Sequence, residues 1–275
     1  MGERPFELFE PSPERESPVL VEVPHAGLGV PQEVLAQIEV PASSLVRDAD
    51  LFVHELYADA PLEGATLIHA TLSRYVVDLN RAEDDIDGES VEGGPPGARA
   101  PRGVIWRLSG QGGRVISKPL PRAELERRLA AFHRPYHAEV ERLLARKVER
   151  FGIAVLLAGH SMPSYARWAS GELGPARADV VPGTRGRSTA AARLIDAVDE
   201  HARAAAWSVR HDDPYRGGFT TCHYGRPAER VHAIQVELAR RLYMDEDKLV
   251  PHTKFHTVRA WCRGLVAKLG ELALR

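Results

Sequence analysis

Residues 153–163 spell IAVLLAGHSMP: an unbroken apolar and small-residue run from Ile153 to Gly159, then His160, Ser161, Met162 and Pro163. A short continuous apolar run reads as a strand buried on both faces, the pattern of a parallel sheet covered by helices. Pro163 cannot extend the ladder, so the chain leaves the sheet there. Open α/β sheets place their ligands outside the carboxyl ends of the strands. His160 therefore stands on a rigid element at the expected site edge. A histidine capping a strand end is the plainer alternative, and this stretch alone leaves it open.

Working outward, the same arrangement recurs. Val19–Val23, VLVEV, is strand-like and runs into Pro24, His25, Ala26 and Gly27, so a second strand delivers a histidine at its carboxyl end. Residues 65–72, ATLIHATL, and 74–80, RYVVDLN, are rich in β-branched and aromatic residues and read as two further strands. Between them and the first strand, RDADLFVHELYADAP (47–61) shows a weak helical stripe that Asp48 or Asp50 could cap. From Pro121 to Phe151, apolar residues recur at spacings of three and four with charges between them, the mark of an amphipathic helix. Gly152 ends it.

Beyond His160, ADVVPGTRGRS (178–188) reads as a loop and 188–205 as a capped helix. WSVRHDDPYRGG suggests a short strand and a glycine-rich turn; VHAIQVELAR (231–240) is a strand, and Lys254–Leu274 a closing amphipathic helix. Residues 1–17 read as an irregular lead-in. Strands alternating with helices predict an α/β fold: a doubly wound, mostly parallel or mixed sheet flanked by helices, in a single domain over 1–275. Residues 82–120 interrupt the alternation. They are polar and dense in glycine and proline, with a possible hairpin at GQGG, and form a long excursion of the kind that carries function.

Composition narrows the function classes. The chain has 275 residues and a net charge of −2, with no basic stripe interleaved with aromatics, so nucleic acid is not an expected partner. No apolar run reaches the ~18 residues of a membrane span. Cys222 and Cys262 are the only cysteines and stand far apart, which points to a reducing, cytoplasmic compartment.

Two strand-end histidines and a carboxylate make the two-histidine, one-carboxylate pattern of a catalytic zinc with one position left for water. The metal candidates are His25, His160 and either Asp48 or Asp50, with Asp50 preferred. A base is also needed. Glu237 sits inside an apolar strand, where an unpartnered carboxylate is costly, so it is either a buried ion-pair partner or a general acid and base. Asn80 and Arg81, at the end of VVDLNR, could hold a substrate carboxylate through a guanidinium fork and an amide donor. A surface turn would use the same residues.

Together, VEVPHAG, RDAD, SRYVVDLNR, RPYH, GHSMP, GGFTTCHYGRP and VHAIQVELARRLYMDE resemble the N-formylglutamate amidohydrolase family, in the same order, from residue 20 to residue 247. That family is similar in fold to zinc carboxypeptidases and aspartoacylases, so a phosphorylase/hydrolase-like sheet is implied. The resemblance implies one zinc ion on His25, an acidic residue and His160. It also implies Glu237 as general base and acid, a carboxylate site at Asn80 and Arg81, and a pocket lined by His223 and the GGFTT turn. The implied reaction releases formate and L-glutamate from N-formyl-L-glutamate, a small-molecule substrate. The excursion at 82–120 departs from the matching part of deformylases of histidine degradation, and it is placed to select the acyl group or side chain. A dicarboxylate product calls for a second cation, for which Arg74, Arg102, Arg107, Arg185 and Arg187 are candidates. Rival readings are a metallo-carboxypeptidase or amidase acting on a peptide or another N-acyl amino acid, and a catalytically silent amino-acid-binding homologue, which need hold no metal.

Overall fold

The strand predicted at the centre of the chain is at the centre of the sheet. The computed structural model describes residues 4–94, 101–167 and 172–275. In chain order the strands are β1 (Phe6–Phe9), β2 (Val19–Val23), β3 (Thr66–Ala70), β4 (Ala154–Met162), β5 (Tyr165–Arg167), β6 (Leu173–Ala176), β7 (Val180–Gly183), β8 (Val231–Ala239), β9 (Met244–Asp245) and β10 (Val250–Pro251). The helices are α1 (Gln32–Leu35), α2 (Ala42–Asp48), α3 (Val53–Leu56), α4 (Arg122–Arg128), α5 (Arg134–Phe151), α6 (Ala192–Ala204), α7 (Phe219–Tyr224) and α8 (Phe255–Ala273). A six-stranded sheet has the order β1-β3-β2-β4-β8-β7. Strands β2, β4 and β8 run parallel, and β7 joins β8 antiparallel at the edge. All residues of β2, β4 and β8 are buried, as the largely apolar composition of strands covered on both faces leads one to expect. This is the mostly parallel, helix-flanked α/β sheet that the alternation predicts. No helix among the described residues is long and apolar enough to cross a membrane.

Contacts divide the chain into two units. The first comprises Met1–Glu7, Pro24–Leu51 and His69–Arg142. It holds α1, α2, α4 and the excursion. The second comprises Leu8–Val23, Phe52–Ile68 and Leu143–Arg275, and holds the parallel strands with α6, α7 and α8. Within it α8 buries Val258, Trp261, Cys262, Leu265, Val266 and Leu269. Gly159 of β4 is required there, because a Cβ would lie 2.5 Å from the Tyr57 ring.

Several local expectations need correction. Residues 74–80 are not a strand but a buried run of turns. The Asp78 carboxylate accepts the Asn80 N–H at 2.8 Å and the Ser73 hydroxyl accepts the Tyr75 N–H, so side chains compete with the ladder for the backbone. Tyr75, Val76, Val77 and Leu79 are buried, and burial without pairing looks like a strand in the sequence. The loop expected at 178–188 begins with β7. Its Pro182 is tolerated because the strand lies at the sheet edge. The lead-in contains β1, and the GGFTT turn opens into α7. The strand expected after Trp207 reduces to a single bridge between Val180 and Val209. Neither Asp48 nor Asp50 caps α3, whose N-cap is Phe52 in the left-handed region with no side-chain cap.

The helix expected over 121–151 forms, with a π-helical turn at Leu129–His133 between α4 and α5. The excursion has the small hairpin expected at GQGG, closed by a bridge between Leu108 and Arg114. Residues 95–100 of that excursion lie outside the described residues.

Candidate metal centre

The second unit delivers His160 near the carboxyl end of β4. Its register partner on the adjacent parallel strand β8 is Glu237. In the first unit, Pro24 and His25 continue directly from the end of β2, and the His25 carbonyl accepts the Asp50 N–H at 2.9 Å. His25, Asp50 and His160 are all buried and each offers one ligand atom, and these atoms all lie within 4.8 Å of one another. The acid that joins the two histidines is thus Asp50. Asp48 is engaged elsewhere: its carboxylate accepts the Tyr75 hydroxyl at 2.5 Å and the Gly110 N–H at 2.6 Å.

The surroundings of His25 fit a cation. Its Nε2 lies 2.8 Å from Asp78 Oδ1 and its Nδ1 lies 3.6 Å from Asp50 Oδ2. Asp78 is fully buried, which by itself raises a carboxyl pKa, but Arg74 and then His25 outweigh burial and hold it well below the usual range. An ionised Asp78 accepts the hydrogen bond from Nε2–H, which leaves Nδ1, on the Asp50 side, as the ring nitrogen available to a metal ion. Nδ1 and the Asp50 carboxylate face each other across a gap that a proton or a metal ion can bridge. Two imidazole nitrogens and one carboxylate oxygen are a donor set that suits zinc, and a carboxylate behind a ligating histidine is the usual support of such a ligand.

Asp78 is the residue that the reading of the sequence missed. Besides His25 and the Asn80 N–H, it accepts Arg74 Nε at 3.2 Å, Arg74 Nη2 at 2.9 Å and Trp106 Nε1 at 2.8 Å. The Arg74 guanidinium also stacks over the Trp106 ring at 4.3 Å. An aspartate two residues before Asn80, flanked by valines and leucine, was the available signal: an acid inside a run that buries its neighbours needs partners.

Asn80 is buried. Arg81 is half-exposed; its Nη1 lies 3.9 Å from the Asp85 carboxylate, and its Nε is buried without a hydrogen-bond partner among the described residues. The Arg81 carbonyl accepts His133 Nε2–H at 2.9 Å, from the π-helical turn. Burial lowers the His133 pKa, and the hydrogen bond to the Arg81 carbonyl opposes that shift without cancelling it. Glu237 is buried and accepts Gln235 Nε2–H at 2.9 Å. His223 lies on the exposed side of α7, stacked on Phe219 with ring centroids 4.8 Å apart.

Each of the five arginines considered for a second carboxylate has a partner within the protein. Arg74 holds Asp78, Arg102 donates to the Leu108 and Ser109 carbonyls, and Arg107 pairs with Asp87 and Glu89. Arg185 donates to the Gly217 carbonyl, and Arg187 pairs with Asp196.

Known proteins share this arrangement of sequence and fold. The N-formylglutamate amidohydrolase family model matches residues 17–244. A Pseudomonas putida protein named N-formylglutamate deformylase is 34% identical over 232 residues, 83% of this chain and 82% of that protein. A Pseudomonas aeruginosa protein of the same name is 35% identical over 234 residues, 83% of each chain. The crystal structure of N-formylglutamate amidohydrolase from Ralstonia eutropha superposes with a TM-score of 0.87 at 32% identity, covering 98% of both chains. A structure from Agrobacterium tumefaciens, 20% identical with a TM-score of 0.70, covers 97% of this chain and 95% of its own and shares the fold. Likeness of this extent, taking in both histidine-bearing strand ends and all of β8, is that of kin: the chain belongs to the N-formylglutamate amidohydrolase family.

Proposed function

We propose that this protein is a zinc-dependent amidohydrolase that hydrolyses N-formyl-L-glutamate to formate and L-glutamate. The observation that carries the reading is the buried group of His25, Asp50 and His160, with Asp78 behind His25, in a chain of this family. These three residues would hold the zinc ion, which when bound lowers the pKa of water and polarises a carbonyl as a Lewis acid.

The chain's own residues do the rest. Arg81 and Asn80 bind the α-carboxylate of the substrate and orient its amide; the buried, unpartnered Nε of Arg81 supports this role. His223 is read as a further substrate contact, on the strength of the family motif alone. Glu237 accepts a proton from water as the water oxygen forms its bond to the formyl carbon. It then delivers that proton to the amide nitrogen as the C–N bond breaks, so that formate and the amine leave together.

Metal analysis coupled to a formate-release assay on N-formyl-L-glutamate tests the reading. The wild type is expected to hold one equivalent of zinc and release formate. His25→Ala and His160→Ala are each expected to lose both. A protein that binds no metal, or that releases formate equally well after either substitution, would refute it.

A further inference from the structure

Gln235 is buried in the middle of β8 with no role in the reaction derived above. Residues two apart on a strand share a face, so Gln235 and Glu237 point the same way. The Gln235 amide bridges two groups. Its Oε1 accepts the Gly218 N–H at 2.9 Å, and its Nε2 donates to Glu237 Oε1 at 2.9 Å. The orientation of the amide is not arbitrary. A backbone N–H can only donate, so the oxygen of the side chain must face Gly218, and the NH2 group is thereby turned on Glu237.

The donor end is itself held. Gly218 is the N-cap of α7, and Gly217 before it has a φ of +96°, a conformation open to glycine and strained for other residues. In the edge strand, Gly183 pairs in register with Gln235. A Cβ on Gly183 would come within 2.6 Å of the Gly217 nitrogen, so the loop lies directly against the sheet at the level of Gln235. A fixed loop, a fixed amide and Glu237 therefore form one line of hydrogen bonds.

We propose that Gln235 is a positioning residue for Glu237, relaying the geometry of the Gly217–Gly218 loop to the carboxylate that moves the proton. The inference rests on the reading of Glu237 as general base and acid. The NH2 group of Gln235 donates to Oε1, which restricts rotation of the carboxylate.

The test is a double-mutant cycle with formate release from N-formyl-L-glutamate as the readout. Gln235→Leu keeps the volume and removes both hydrogen bonds. It is expected to lower kcat roughly 10- to 100-fold, the size of effect that small misplacements of a reacting group produce. KM and zinc content should stay near wild type. Gln235→Glu retains an acceptor for the Gly218 N–H but sets a second carboxyl group against Glu237. It is expected to lower kcat at least as far, and it serves as the readout if the leucine variant does not fold.

The decisive comparison is in the Glu237→Gln background, where either substitution at Gln235 should cost little more, because the group it positions is already disabled. Wild-type kcat in the Gln235 variants overturns the inference while leaving Glu237 as the base. Full, multiplicative losses in the Glu237→Gln background overturn it as well, since Gln235 would then act elsewhere. A Glu237→Gln protein that turns over like wild type refutes the assignment of the base, and the inference falls with it.

Discussion

Asp78→Asn is the substitution that best probes how this centre is built. The carboxylate accepts from His25, Arg74, Trp106 and the Asn80 backbone, using both oxygens. An asparagine has one oxygen and one NH2 group. If the oxygen faces Arg74 and Trp106, the NH2 group meets His25 Nε2 and the Asn80 N–H. His25 must then move its hydrogen to Nδ1, the nitrogen that faces Asp50, and loses its lone pair there. If the oxygen faces His25, the NH2 group opposes the Arg74 guanidinium. Both arrangements cost, but only the first acts directly on His25, the proposed metal ligand. Loss of such a supporting carboxylate weakens metal binding roughly 10- to 100-fold, about 1.4–2.7 kcal/mol. Arg74 also loses its counter-charge. Breaking one side of a buried ion pair costs roughly 3–5 kcal/mol, and the lower end applies because the Arg74 side chain keeps 16% of its surface and stacks on Trp106. The assays are zinc affinity by chelator competition and denaturant unfolding of the metal-free protein. Asp48→Asn is the control: it disturbs bonds to Tyr75 and Gly110 and should leave zinc affinity at the wild-type value. If Asp78→Asn is less stable but binds zinc as tightly as wild type, Asp78 serves the fold alone and the argument from the His25 tautomer is wrong.

Three further outcomes are expected. Arg81→Lys replaces a planar fork by a point charge and should lower kcat/KM roughly ten- to a thousandfold, mainly through KM; an α-amide analogue of the substrate should lose little more in the variant than in the wild type, and strict additivity would remove Arg81 from the carboxylate site. Gly159→Ala forces a Cβ against the Tyr57 ring and should destabilise the fold by roughly 1–3 kcal/mol, read by denaturant unfolding; an unchanged midpoint would mean that Tyr57 moves freely. Burial lowers the Lys147 pKa from its ordinary 10.5 to about 8. Between those values the unfolded chain holds more protons than the folded one, so this group makes stability rise with pH from about 8 to 10.5, and Lys147→Met should flatten that rise in unfolding curves taken across the window.

Much of the site's framework is legible from local sequence. The strand at Val19–Val23 has the bounds that its apolar run suggests, and those at Ala154–Met162 and Val231–Ala239 lie where theirs do. A buried parallel strand needs apolar residues on both faces, and that demand is written into consecutive positions. His25, His160 and Glu237 are legible because each stands at or near the end of such a run, where a polar residue is conspicuous. The family likeness rests on the same stretches and their order. What defeated the local reading was competition for backbone groups. Residues 74–80 have strand composition, yet Asp78 and Ser73 take the N–H groups that a ladder would have used. In β7, Pro182 argues against a strand until the edge position is known.

The sequence by itself determined the α/β class, the buried parallel strands, the two strand-end histidines, the acid within β8 and the family, because each depends on residue types close together in the chain. Tertiary structure alone decided which aspartate meets those histidines. Asp48 and Asp50 are two residues apart in similar company, but one is drawn to Tyr75 and Gly110 while the other is tied through its backbone to His25. It also decided that Asp78, 53 positions after His25, stands behind that ring, and that Gln235 is turned on Glu237 by a loop N–H 17 positions earlier. The charge state and direction of a buried polar group depend on the partners that enclose it, and those partners are brought together only by folding.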